Sequence, residues 1–151
     1  MSRFSFKFLL LNSLFIINLL FSQHISFTDS QIDAGESASI DILLENTQDI
    51  AGFQFQIIDL PNQGDFIDAQ PTERTSNFLI NFNEQPDGSL IVLGFDITGG
   101  SIASGTGSIL TLTYQSTGIY STEIEISLLY EYSFLSDVTG YPVDYTFENG
   151  N

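Results

Sequence analysis

Apolar residues recur at every second position through most of this chain, between breaks rich in glycine and proline, and no stretch after residue 22 shows helical periodicity. That alternation is the signature of strands with one buried face. Ala38, Ile40, Ile42 and Leu44 alternate with Ser39, Asp41 and Glu45, and Phe53, Phe55 and Ile57 with Gln54 and Gln56. Phe78, Ile80 and Phe82 enclose Leu79 and Asn81, and Ile91, Leu93, Phe95 and Ile97 form a further set. Leu110, Leu112 and Tyr114, then Ile124, Ile126 and Leu128, continue the pattern. Shorter strands are expected at Ile25–Thr28, Phe66–Ala69, Tyr130–Phe134 and Val143–Phe147.

The breaks carry turn chemistry, as at Asp33-Ala34-Gly35, Pro61-Asn62-Gln63-Gly64 and Thr98-Gly99-Gly100. Pro86-Asp87-Gly88 joins two well-patterned runs, so residues 78 to 97 read as a hairpin. Short strands at this spacing imply an all-β, two-sheet antiparallel sandwich. No linker, repeat or low-complexity segment interrupts residues 24–151, so they are read as one domain. About 128 residues suffice to bury roughly two-thirds of the unfolded surface. With no cysteine, that core must hold by packing alone.

Residues 1–22 differ. Arg3 and Lys7 precede an apolar run from Phe8 to Phe21, broken by Asn12, Ser13 and Asn18. The run falls short of the ~20 apolar residues of a membrane span. A secretory signal peptide cleaved after Ser22 or Gln23 is expected, leaving an extracellular or cell-surface protein with no membrane insertion. Past the leader, Arg74 is the single basic residue against 19 acidic ones, a net charge of −18. Such a field repels nucleic acid and anionic membranes, whose phosphates need Lys and Arg to neutralise them. A content of 42% hydrophobic residues argues against disorder.

Three stretches carry a family resemblance. Asn46–Ile57 contains Ile50-Ala51-Gly52-Phe53-Gln54-Phe55, Asp87–Asp96 contains Ile91-Val92-Leu93-Gly94-Phe95, and Ile102–Tyr114 ends in Leu110-Thr111-Leu112-Thr113-Tyr114. In order and spacing, these resemble cohesin domains from about Ile25 to Asn151. The resemblance implies a nine-stranded jelly roll without catalytic residues, which binds a calcium-carrying dockerin in the assembly or surface attachment of polysaccharide-degrading enzymes. Ile58-Asp59-Leu60-Pro61 stands where the family has Tyr-Asp-Pro, which alters that loop. At the other end, the family's final strand follows a turn like Asn149-Gly150, so either the sequence is a fragment with its last strand truncated, which is the expectation, or the Ile25–Thr28 strand lacks its usual neighbour.

Alternation also indicates a binding face. With Ile91, Leu93 and Phe95 taken as inward, Leu90, Val92, Gly94 and Asp96 point outward, beside Leu79 and Asn81 on one strand and Gln54, Gln56 and Ile58 on another. A largely uncharged, partly apolar surface on so acidic a chain marks an interaction site. Cohesins dock through their third, fifth, sixth and eighth strands. Carried over, the partner surface comprises Gln54, Gln56, Leu79, Asn81, Asn83, Leu90, Val92 and Asp96.

Catalysis is not expected. The only histidine, His24, is read as part of a disordered terminus, and Glu123 and Glu125 as solvated neighbours on one strand. No cofactor is assigned; the calcium of the resemblance belongs to the partner, and Asp65, Asp68, Asp137 and Asp144 read as solvated turn carboxylates rather than ligands. The alternatives are a carbohydrate-binding module and a structural sandwich of a surface protein. For the first, Tyr130 and Tyr132, or Tyr120, Tyr141 and Tyr145, would have to present flat rings to polysaccharide.

Overall fold

The computed structural model describes residues 23–118 and 124–150, so the expected leader, Tyr120 and Glu123 lie outside the described residues. Among the described residues eleven strands form: β1 Gln23–Phe27, β2 Ser37–Asn46, β3 Ile50–Leu60, β4 Gly64–Pro71, β5 Leu79–Glu84, β6 Leu90–Phe95, β7 Gly105–Ser116, β8 Glu125–Leu128, β9 Phe134–Asp137, β10 Pro142–Val143 and β11 Tyr145–Glu148. One sheet runs β11-β1-β2-β7-β4, and the other runs β10-β9-β3-β6-β5 with β8 also on β3. The expected two-sheet sandwich is the observed fold, and the expected hairpin is β5–β6, paired from Leu79↔Phe95 to Glu84↔Leu90.

The strand number exceeds the nine that the resemblance implies because two lines are broken. β8 and β9 both pair with β3, at Ile57–Leu60 and Ile50–Gln54, and a 3-10 turn at Tyr130–Tyr132 separates them. Where the expected Tyr130–Phe134 strand leaves the sheet, the β3 backbone stays satisfied. Leu129 N–H donates to the Gln56 carbonyl at 2.8 Å and Gln56 N–H to Ser133 Oγ at 3.0 Å. The expected Val143–Phe147 strand divides likewise: β10 pairs with β9 in one sheet, and β11 with β1 in the other.

That division fills the place beside β1. β11 pairs with it in parallel, from Gln23↔Tyr145 to Ser26↔Glu148, so the Ile25–Thr28 strand does not lack its neighbour. Tyr145 anchors β11: its ring is buried, its hydroxyl donates to the Ser133 carbonyl at 2.9 Å, and burial pushes its pKa up to about 12. His24, expected in a disordered terminus, is an ordered β1 residue with Nδ1 2.9 Å from Thr146 Oγ1.

Between the sheets lie Ile25, Ile40, Ile42, Leu44, Phe55, Ile57, Leu110 and Leu112, all buried. Phe53 stacks on Phe55 at 4.9 Å and on Phe78 at 6.3 Å. The altered loop at Ile58-Asp59-Leu60-Pro61 has a cis Leu60–Pro61 peptide and a buried Asp59. That carboxylate accepts from Tyr114 Oη at 2.5 Å and Gln63 N–H at 2.8 Å. Burial, then the bond to Asp59, raises the Tyr114 pKa far above the usual phenol range, so the pair is structural.

Arg74, the only Lys or Arg among the described residues, is consumed by the fold. From a 3-10 turn at Glu73–Thr75 its guanidinium donates to the carbonyls of Leu44 (2.7 Å), Gly107 (3.1 Å) and Ala103 (2.9 Å), and to Asn46 Oδ1 (2.6 Å). It ties the end of β2 to the segment entering β7.

Candidate protein-docking face

The outer side of the β9-β3-β6-β5 layer is built in registered rows. Ser136, Gly52, Phe95 and Leu79 form one row; Phe134, Gln54, Leu93 and Asn81 form the next. Gln56, Ile91 and Asn83 continue it. Side chains paired across antiparallel strands share a face, so the exposed Asn81 and Asn83 oblige Leu93 and Ile91 to point outward with them. Leu79 is 53% exposed, Phe134 50%, Leu93 39% and Phe95 37%.

This corrects the expected orientation of β6. Leu90 and Val92, assigned above to the partner surface, are wholly buried in the core. Leu93 and Phe95, assigned to the core, stand on the face instead. Gln54, Gln56, Leu79, Asn81 and Asn83 are where alternation put them, and Asp96 sits half-buried at the end of β6. The alternation in this strand is ambiguous, because both of its sides are apolar. The usable signals were the hairpin partners Asn81 and Asn83, and Gly94 on the side where a large ring has to fit. Nothing local places Phe134 on the face, because the 3-10 turn before it shifts its strand.

Gly52 gives the face its relief. It carries no side chain between Ser136 and Phe95, and the result is an open groove of about 320 Å³ lined by Gly52, Gln54, Leu93, Phe95, Phe134 and Ser136. The polar groups beside it are held: Gln54 Nε2 donates to the Tyr132 carbonyl at 3.3 Å, and Gln56 Nε2 to Ser89 Oγ at 2.9 Å.

No outward position of β3, β5, β6 or β9 within these rows is charged. The opposite sheet, by contrast, carries Asp41, Glu45, Asp65 and Asp68 on its β2 and β4 strands. Charge returns at the ends of this face, in three turns that share one Asp side-chain motif. Asp87 Oδ1 accepts from Ser89 N–H and Oγ, Asp96 Oδ1 from Thr98 N–H and Oγ1, and Asp137 Oδ1 from Thr139 N–H and Oγ1. In each, the hydroxyl bond chiefly holds the carboxyl below its ordinary pKa, so all three stay ionised.

Of the other candidate groups, Tyr141 stands 70% exposed between β9 and β10, and Tyr120 lies outside the described residues. Tyr130 and Tyr132 lie in a 3-10 turn, where residues two apart point about 120° away from each other rather than to one side. Tyr130 packs on Tyr145 at 5.1 Å and on Phe147 at 6.3 Å, and the Tyr145 ring is buried. Asp137 is engaged by its own turn and Asp68 by Gln70 Nε2 at 2.9 Å; among the described residues no group of three or more His, Asp or Glu is placed to hold a metal. Burial, with Asp65 and Asp59 nearby, raises the Glu84 pKa, but Glu84 accepts from Phe66 N–H (3.3 Å) at the seam between β4 and β5 and does not reach the face. Among the described residues no helix is long and apolar enough to cross a membrane.

Solved structures share this architecture. The sixth cohesin of Acetivibrio cellulolyticus scaffoldin B, in complex with a Cel5 dockerin, superposes with a TM-score of 0.70 at 21% identity, covering 85% of this chain and 96% of that one. This chain has the cohesin fold. A type I cohesin–dockerin complex from Clostridium thermocellum matches with a TM-score of 0.71 at 16% identity, over 85% of this chain and 96% of that one. A non-cellulosomal cohesin from the archaeon Archaeoglobus fulgidus matches at 0.69 and 19%, over 85% and 88%. No protein-family model matches the sequence, and no curated protein does. The cohesin likeness therefore rests on shape, together with the ordered sequence stretches given above.

Proposed function

We propose that this chain is a secreted, non-catalytic docking module whose β9-β3-β6-β5 face receives a dockerin-type protein, in the assembly or surface attachment of polysaccharide-degrading proteins. One observation carries the reading: a registered, charge-free and partly apolar layer on a domain of −18, within a fold whose solved relatives include dockerin complexes. Apolar side chains held at 37–53% exposure on rigid strands form a surface that association can bury at little cost in order. The partner-contact set becomes Gln54, Gln56, Leu79, Asn81, Asn83, Leu93, Phe95 and Phe134, with Asp96 at its edge.

Leu93→Glu and Leu79→Glu each place a carboxylate in the face without touching the core. Each should weaken capture of a dockerin by a hundredfold or more while the thermal midpoint of the free domain stays put, as expected for a charge desolvated without a partner. Chelating calcium should release the dockerin, since calcium belongs to that side of the complex. Undiminished binding by both variants rules this face out, and retention of a sugar by the isolated domain would favour the polysaccharide-binding alternative.

A further inference from the structure

Two of the Asp turns are copies of each other. Asp96-Ile97-Thr98-Gly99 and Asp137-Val138-Thr139-Gly140 share their pattern, and their bonds agree closely. Thr N–H to Asp Oδ1 is 2.7 and 2.8 Å, Thr Oγ1 to Asp Oδ1 is 2.7 Å in both, and Gly N–H to the Asp carbonyl is 3.0 Å in both. The glycines take φ of +83° and +84°, a left-handed conformation suited to residues without Cβ. One turn closes β6 and the other follows β9. Both strands run antiparallel to β3 and flank it, with Phe95 and Ser136 each opposite Gly52. The turns therefore project from the same end of the sheet, two strand spacings or roughly 10 Å apart, on either side of the groove's glycine floor.

At the tip of each stands an exposed aliphatic side chain, Ile97 at 76% and Val138 at 62%. Nothing in the turn requires it: the second position of such a turn accepts most residues, and the Asp, Thr and Gly supply all the bonds. The third turn, at the opposite end of β6, has Gly88 between its Asp and Ser. Apolar tips thus occur at the groove end alone among these three turns, on scaffolds stiffened by two side-chain bonds each.

We propose that Ile97 and Val138 form a paired contact that extends the docking face past the groove and selects among dockerin-type partners by demanding two apolar acceptors at that spacing. This rests on the function proposed above. The occupant is a protein of that type because the tips continue the face assigned to it, and because Arg74, the single Lys or Arg among the described residues, is engaged by carbonyls and leaves cationic groups near Asp96 and Asp137 for a partner to supply. Since the tips are already rigid, burying them gains apolar contact with little loss of freedom.

The test titrates the dockerin modules encoded in the same genome against wild type, Ile97→Ser, Val138→Ser, the double variant and Leu93→Glu, by calorimetry. Each single serine should weaken the preferred dockerin about tenfold and the double variant about a hundredfold. The preference among dockerins should shrink, and the thermal midpoint should not move. If Leu93→Glu abolishes binding while the serine variants bind like wild type with unchanged preference, the tip pair is refuted and the docking face stands. If wild type binds no dockerin, the function proposed above fails and the tip pair falls with it.

Discussion

A Cβ built on Gly94 stands 2.2 Å from Phe53 Cζ, because the Phe53 ring lies across β6 at its cross-strand partner. Phe53 in turn stacks on Phe55 and Phe78, so the ring cannot swing aside without disturbing the aromatic cluster between the sheets. Gly94→Ala should therefore destabilise the domain by about 1–3 kcal/mol, the range for overpacking a filled core. Adding Phe53→Leu should recover part of that loss, since neighbours in contact are not additive. Urea unfolding of the single and double variants checks both; an Ala variant as stable as wild type would show that the ring has room. The same glycine sets which side of β6 faces inward. By size, Leu93 and Phe95 look like core and Leu90 and Val92 like surface. By fit, the side with the glycine has to face the Phe53 ring, which carries Leu90 and Val92 into the interior. Hydrophobicity gave no means of choosing between two apolar sides of one strand; the asparagines across the hairpin did.

At the scale of elements, local alternation is a good guide wherever one side of a strand is polar, as in β2, β3 and β5, whose outward residues were placed correctly. It fails where the chain leaves the sheet for reasons set by its neighbours. The 3-10 turn at Tyr130–Tyr132 interrupts an apolar run that reads as continuous, and the change of sheet between β10 and β11 follows from long-range pairing with β9 and β1. Arg74 belongs to the same class of long-range feature. As a lone basic residue it stood out in sequence, yet nothing local shows that its guanidinium bridges Leu44, Asn46, Ala103 and Gly107. Arg74→Met should remove those charge-assisted bonds and strand their acceptors, for a loss of about 1.5–3 kcal/mol in chemical denaturation. Arg74→Lys should recover only a minor part, because one ammonium cannot span a fork of four acceptors. Full rescue by lysine would mean that charge alone matters there.

Over the whole molecule, Arg74, engaged by backbone carbonyls, leaves a surface of carboxylates, a net −18 over residues 23–151, unrelieved except on the uncharged candidate face. Folding gathers these charges, so self-repulsion opposes the compact state, and salt should relieve it. Between about 0.01 M and about 0.1 M sodium chloride the screening length falls from about 30 Å to about 10 Å, short enough to decouple carboxylates on opposite sheets. The thermal midpoint should therefore rise by several degrees over that interval. Docking should respond with the opposite sign. The face itself is neutral, so its apolar contacts keep the complex together at either ionic strength, but Asp87, Asp96 and Asp137 at its ends draw a cationic partner inward during encounter. The association rate should fall severalfold as salt rises while the dissociation rate changes little, because steering acts before contact and burial after it. Scanning fluorimetry and stopped-flow association over the same salt series separate the two effects. A midpoint that falls with salt would show that the carboxylates are balanced within the fold. An association rate indifferent to salt would show that the partner brings no cations to the rim, and that the apolar rows of β9, β3, β6 and β5 capture it unaided.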